Sequence, residues 1–238
     1  MDLIRRVYNK YLSPDKDFTG KIIPILGFTP ARVDFFKQAF YHRSMNSETA
    51  NKTYNNERLE YLGDAILSSI VAEYLFKKYP GKDEGFLTKM RSKIVRRQTL
   101  NEIAEKMGLD LILSEYSLGK MSVSMLGNAF EALIGALYLE FGYKKTCTYV
   151  IKEILMKYLD MPQIESQNDN HKSIILEWSQ KHGHEVEFLQ VSKVKNDKRD
   201  YFKMAIILNG EKISEAEDYN KKAAEQKAAE LAIVALNI

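Results

Sequence analysis

At 238 residues, with 45% hydrophobic and 28% charged residues, the chain has the length of one large domain or two ordinary ones and the composition of a soluble globular protein. No stretch approaches 18 uninterrupted apolar residues, so no membrane-spanning helix and no membrane partner are expected. A single cysteine, Cys147, excludes an internal disulfide and a cysteine-based zinc site. The N-terminal Met1-Asp2-Leu3-Ile4-Arg5-Arg6 lacks the apolar core of a secretory signal, so a cytoplasmic protein is expected. The net charge of +3 divides into a balance of +4 over residues 1–166 and −1 over residues 167–238. Nucleic acid would therefore have to be met by local basic patches, not by bulk charge.

In chain order, the first 160 residues read as mostly helical. Val33, Phe35, Phe36, Ala39 and Phe40 recur at helical spacing over residues 32–41. A second pattern runs from about residue 56 to 79 and stops before the breaker pair Pro80-Gly81. Residues 86–106 form a long pattern with Leu87, Met90, Ile94, Leu100, Ile103 and Ala104 inward, closed by Met107-Gly108-Leu109. Residues 124–141 are apolar and rich in small side chains, including Gly127, Ala132, Gly135 and Ala136, which let helices approach closely and predict a central position. Residues 144–159 form a further amphipathic helix. Residues 161–170, polar and bearing Pro162, read as a linker. The pattern then changes. Residues 172–182 are helical, residues 185–194 and 201–208 alternate as strands do, residues 212–217 fit a third strand, and residues 221–236 form an alanine-rich helix. There is no internal repeat.

The most distinctive stretch is Asn55-Asn56-Glu57-Arg58-Leu59-Glu60-Tyr61-Leu62-Gly63-Asp64-Ala65-Ile66-Leu67. Glu57, Glu60 and Asp64, at i, i+3 and i+7, share one helix face, while Leu59, Leu62, Ile66 and Leu67 face inward. Three neighbouring carboxylates repel and raise one another's pKa. A divalent cation resolves that repulsion, and hard cations such as Mg²⁺ take carboxylate oxygens. The plainer alternative is a solvated acidic face. Asn128 and Glu131, at i, i+3 on the small-residue helix, are suited to supply oxygen ligands from a second helix. A di-iron oxidase needs Glu-x-x-His pairs, and none of these carboxylates has a histidine three residues later. Lys89, Lys93, Arg96 and Arg97 form a basic stripe facing either phosphates or solvent. His42, beside Arg43 and Ser44, could be read as catalytic, but the structural reading is preferred because no nucleophile arrangement accompanies it.

This stretch is similar to the signature helix of the ribonuclease III family. The resemblance extends to His42-Arg43-Ser44, to Leu87-Thr88-Lys89-Met90-Arg91, and to Phe130-Glu131-Ala132-Leu133-Ile134-Gly135-Ala136-Leu137-Tyr138-Leu139. Farther on, Lys221-Lys222-Ala223-Ala224-Glu225-Gln226-Lys227-Ala228-Ala229 in an α-β-β-β-α order resembles a double-stranded RNA-binding domain. The resemblance implies a mainly α protein: an all-helical ribonuclease III endonuclease domain over residues 1–160, a linker over 161–170, and a small α-β-β-β-α double-stranded RNA-binding domain over 171–238. It implies Mg²⁺, with Mn²⁺ as a possible substitute, on Glu60, Asp64, Asn128 and Glu131, of which Glu60, Asp64 and Glu131 are catalytic. Position 128 is usually Asp in the family. An amide oxygen can ligate but brings no charge, so weaker metal binding is expected. Glu57 takes a supporting role, or is simply a charge favourable to the helix dipole. Tyr61 sits where the family has an aromatic that plugs into a partner subunit, implying a homodimer; the alternative is a core aromatic.

The implied activity is metal-assisted hydrolysis of double-stranded RNA in RNA processing, leaving 5′-phosphate and 3′-hydroxyl ends. The alternative is a catalytically weak or inactive double-stranded RNA-binding protein of the same fold. For the C-terminal domain the resemblance implies three RNA contacts. The first is the leading helix, with Lys172 and Glu177. The second is the loop after the first strand, where Lys198 or Arg199 stands in for a missing histidine. The third is Lys221 and Lys222 at the start of the last helix. Residues 215–220 read as a loop whose Glu215, Glu217 and Asp218 would repel RNA, so weaker binding than is typical is expected.

Overall fold

Apolar periodicity in the first part of the chain closes into a helical unit, and the alternating pattern after it closes into a small sheet. The computed structural model describes residues 2–42, 54–115, 123–166, 171–196 and 199–238. Two compact units divide at residue 165, Met1–Glu165 and Ser166–Ile238.

In the first unit the helices are α1 (Asp2–Tyr11), α2 (Lys16–Leu26), α3 (Val33–Ala39), α4 (Glu57–Lys78), α5 (Glu84–Val95), α6 (Arg97–Lys106), α7 (Leu109–Leu113) and α8 (Val123–Tyr149). A π-helical turn (Val150–Leu155), α9 (Met156–Tyr158) and α10 (Met161–Ser166) follow. Phe36, Phe40, Leu67, Ile70, Phe130 and Leu133 are fully buried in one core. The small-residue helix α8 is central, as its composition predicts, and its most extensive packing is against α4. Gly63 of α4 lies against the backbone of Glu131 and Gly135, and Gly135 of α8 lies against the backbone of Leu59. A Cβ at either glycine would enter the opposite helix, so these two residues allow the helix axes to draw together.

Three local expectations change. The pattern over residues 86–106 is two helices, because Arg96 is extended (φ −65°, ψ 146°) and turns the chain between α5 and α6. Asp83 caps α5, its carboxylate accepting from the Phe86 amide at 2.8 Å. Gly142, at φ 71°, breaks the helical path of α8 between the two helices expected over residues 124–141 and 144–159, a left-handed conformation that glycine adopts without strain. The first part of the expected linker is helical: Met161 and Ile164 of α10 are buried against the core. Lys93 is buried with them, its Nζ donating to the Ile164 carbonyl at 2.7 Å. It therefore leaves the basic stripe expected over residues 89–97 and serves as a structural tie.

The second unit comprises α11 (His171–His182), β1 (Val186–Asn196), β2 (Arg199–Leu208), β3 (Glu211–Asp218) and α12 (Lys221–Leu236). The three strands form an antiparallel sheet in the order β1-β2-β3. Asn209 and Gly210, both at positive φ, make the tight turn between β2 and β3, as two-residue hairpins require. The core joins Ile175, Ile206, Ala228, Ala229 and Ala232, and the alanines let α12 lie close on the sheet. The third strand expected over residues 212–217 is β3, and it takes in Glu215, Glu217 and Asp218, which the loop expected over residues 215–220 also claimed.

Candidate active site

Two adjacent asparagines fix the start of α4. The Asn55 side chain accepts from the Glu57 amide at 3.0 Å, and the Asn56 amide N–H donates to the Tyr41 carbonyl at 2.9 Å. The carbonyl of Asn55 accepts from Gln38 at 2.9 Å. These bonds anchor the first turn, where Glu57 and Glu60 meet the positive end of the helix dipole. The Gly63–Gly135 approach then brings that turn beside Asn128 and Glu131 of α8.

The result is a cavity of about 640 Å³ lined by Glu57, Glu60, Asp64, Asn128 and Glu131, with Tyr61, His42, Asn56, Arg97 and Ser124 completing the wall. All four expected ligands, and the supporting Glu57, thus face one space. Glu131 is the most informative of them. Its carboxyl is pushed up to about 7, first by burial and then by the charges of Asp64 and Glu60, with Arg97 opposing the rise. Among the described residues, no three acidic, histidine or cysteine side chains are already gathered closely enough to form a ready metal cluster. The donor set nevertheless fits a hard divalent cation in kind: three carboxylates and an amide oxygen.

Arg97 was expected on a stripe facing phosphates or solvent. It stands in the cavity wall, its Nη1 donating to Asn128 Oδ1 at 3.3 Å. His42, for which the sequence favours a structural reading, also lines the cavity. The signal lay in the break at Arg96, which aims Arg97 at α8 and which helical periodicity across residues 86–106 conceals. Tyr61 is 82% exposed, which removes the core-aromatic alternative.

In the second unit, Lys221 and Lys222 are exposed at the start of α12, where Asn220 caps the helix by accepting from the Lys222 amide at 2.9 Å. Glu177 and Arg199 are also exposed. Lys172 is half-buried and engaged within the domain. Its Nζ donates to Glu225 at 2.7 Å and lies 4.4 Å from the Phe188 ring centre, while its amide donates to Gln226 at 3.1 Å. The Glu225-Gln226 pair therefore ties α11 to α12. Lys198 lies outside the described residues, as do Arg43 and Ser44. The three acids expected to repel RNA are paired: Glu215 and Glu217 with Lys203 at 2.8 and 3.2 Å, and Asp218 with Lys227 at 2.7 Å. Antiparallel register sets Lys203 opposite Glu217, so these charges meet lysines where a loop was expected to display them.

An acidic cavity held between two locked helices, in one chain with an α-β-β-β-α unit, defines an endonuclease domain carrying a double-stranded RNA-binding module. Comparison with known proteins agrees. The Ribonuclease-III-like family model matches residues 33–158, and the double-stranded RNA binding motif matches residues 171–236. Proteins named Ribonuclease 3 from Bacteroides thetaiotaomicron and Zunongwangia profunda are 40% and 36% identical over 238 aligned residues. The alignments cover 98% and 99% of this chain and 75% and 98% of those proteins. The nuclease domain of ribonuclease III from Campylobacter jejuni superposes with a TM-score of 0.50 at 31% identity, covering 59% of this chain and 96% of that one. The chain belongs to the ribonuclease III family and is an endoribonuclease of that type. Among the described residues, no helix is long and apolar enough to cross a membrane.

Proposed function

We propose that the cavity between α4 and α8 cleaves double-stranded RNA with Mg²⁺, or Mn²⁺ in its place, held by Glu60, Asp64, Asn128 and Glu131. The observation that carries this reading is the convergence of these four side chains on one cavity, with the Glu131 carboxyl raised to about 7 by burial and by its acidic neighbours. A bound divalent cation supplies an acidified water and a counter-charge for the leaving oxygen of a phosphodiester. The protein's own part is to present the ligands. Like charges resist being brought together, and the glycine contacts between α4 and α8 hold their backbones side by side against that repulsion. Burial of Glu131 lowers the local dielectric and strengthens its pull on a cation. Glu57, exposed at the mouth, adds negative potential without entering the ligand set. The products are 5′-phosphate and 3′-hydroxyl ends.

The protein works as a homodimer in the cytoplasm, with the exposed ring of Tyr61 as an anchor between subunits, so that each of two cavities serves one strand of a duplex. Lys221 and Lys222 hold the RNA by its phosphates. Glu131→Gln tests the site. It keeps the shape and removes the charge, so duplex binding in a gel-shift assay survives while cleavage of a generic duplex in Mg²⁺ falls by orders of magnitude. Near-normal turnover at saturating Mg²⁺ refutes the assignment.

A further inference from the structure

Arg97 places a positive charge in a cavity also lined by four acids, Glu57, Glu60, Asp64 and Glu131, and its hydrogen-bond partner there is the neutral Asn128. Arg97 opens α6 directly after the extended Arg96, and its guanidinium reaches the first turns of α8. Nη1 donates to Asn128 Oδ1 at 3.3 Å, and Arg97 lines both the main cavity and a smaller adjoining pocket of about 90 Å³ beside Asn128 and Glu131. A guanidinium carries five N–H donors in a planar fork, and an amide oxygen carries two lone pairs. The contact uses one donor and one lone pair. It leaves Arg97 with donors for an anion and Asn128 with a lone pair for a cation.

An aspartate at 128 would change this. At the same spacing it would form a charge-assisted pair with Arg97, and each charge would be spent on the other. The neutral amide keeps the two apart: the guanidinium's charge stays available to an anion, and the cation is held by three carboxylates and an amide oxygen. We propose that Arg97 binds a non-bridging oxygen of the scissile phosphodiester in this cavity, and that Asn128, being neutral, is what leaves its charge for the substrate. Arg97 then stabilises charge that develops on the phosphate during hydrolysis, a task for which Arg's fork is better suited than the point charge of Lys. This inference rests on the site reading given above.

The experiment compares Arg97→Gln, Arg97→Lys, Asn128→Asp and the double variant Arg97→Gln/Asn128→Asp in the full chain, with Glu131→Gln as reference. Two readouts are taken: cleavage of duplex RNA at saturating Mg²⁺, and binding of Mn²⁺ alone followed by electron paramagnetic resonance. Glutamine keeps a donor for Asn128 and removes the charge. Arg97→Gln is expected to lower kcat by about 100-fold, the scale for losing one donor to a transition-state oxyanion. Its Mn²⁺ binding should tighten, because a cation has left the cavity. A merely structural arginine would loosen binding or leave it unchanged. Arg97→Lys should fall between wild type and Arg97→Gln. Asn128→Asp should tighten Mn²⁺ binding more in the Arg97→Gln background than in the wild type, and should lower kcat where Arg97 is present to capture. Wild-type kcat in Arg97→Gln, or an equal gain in Mn²⁺ binding from Asn128→Asp in both backgrounds, overturns the proposal. If Glu131→Gln is inactive while Arg97→Gln is unaffected, this inference alone fails. If Glu131→Gln still cleaves, the site reading fails first and takes this inference with it.

Discussion

Replacing Gly63 with alanine should unfasten the two helices that build the cavity. A Cβ at Gly63 would lie 1.7 Å from the backbone oxygen of Glu131 and 2.6 Å from its carbonyl carbon. Carbon–oxygen contacts settle near 3.3 Å or beyond, so the backbones must part by about 1.5 Å. A flexible side chain can swing aside, but a carbonyl inside α8 moves only with its helix. Overpacking a dense core usually costs about 1–3 kcal/mol, and shifting a whole helix puts Gly63→Ala at the top of that range or above. Alanine's better helix propensity returns about 1 kcal/mol. A net loss of about 2–3 kcal/mol lowers the melting temperature by roughly 4–12 °C for a unit of this size. Gly135→Ala, with its Cβ 2.4 Å from the Leu59 oxygen, should act in the same direction with a smaller effect. Gly20, inside α2 with nothing within 4 Å of its added Cβ, is the control: Gly20→Ala should stabilise by about 0.4–1 kcal/mol. Thermal melts followed by circular dichroism measure all three. Cleavage by Gly63→Ala should also fall further than its folded fraction accounts for, because parting α4 from α8 separates Glu60 and Asp64 from Asn128 and Glu131. A Gly63→Ala protein that melts at or above the wild-type temperature refutes the close approach.

Three further outcomes follow from the same geometry. Because the folded-state pKa of Glu131 is raised to about 7, its ionisation opposes folding above the ordinary carboxylate range, and that penalty grows until the pH passes about 7. In EDTA, Glu131→Gln should therefore melt higher than wild type at pH 8 and match it near pH 4; the same difference at both values removes the electrostatic explanation. Tyr61→Ala should shift a micromolar sample toward monomer in sedimentation, since a buried aromatic anchor contributes a few kcal/mol; an unchanged dimer assigns the interface elsewhere. Changing Lys221 and Lys222 together to Ala should weaken duplex affinity, leave cleavage positions unaltered, and flatten log affinity against log salt by about one unit per lost phosphate contact; an unaltered slope moves the RNA contact away from α12.

Much of the site was legible because two helical periods carry it. Glu57, Glu60 and Asp64 repeat on one face, Asn128 and Glu131 repeat on another, and the glycines between them announce a close crossing. The sheet of the second unit was legible from alternation. What escaped depends on single backbone torsions or on tertiary partners. Arg96 at ψ 146° splits a helix whose apolar residues keep their period across the break, so the entry of Arg97 into the cavity leaves no trace in the pattern. Lys93 looks like a surface charge until Ile164 supplies an acceptor 71 positions away. Helix α1 was unreadable for the opposite reason: Leu3, Ile4 and Val7 point outward, so its apolar residues mark no core.

The acids of the second unit show how far a local charge count can mislead. Read as a loop, Glu215, Glu217 and Asp218 threaten the phosphates that Lys221 and Lys222 would hold. On β3 they answer to the strand beside them and the helix after them. The Lys203 ammonium holds the Glu215 carboxyl below its usual range, and Lys227 does the same for Asp218. Exposed pairs of this kind add little stability, but they offset the field a duplex would meet at the start of α12. Lys172 is accounted for in the same way by Glu225. The lysines proposed to hold RNA, Lys221 and Lys222 at a capped helix start, are among the charges the packing leaves at the surface, as is Arg199 at the head of β2. Affinity should respond to these residues, and neutralising Glu217 should raise it modestly, because the Lys203 ammonium is then shared with Glu215 alone and the duplex meets one negative charge fewer.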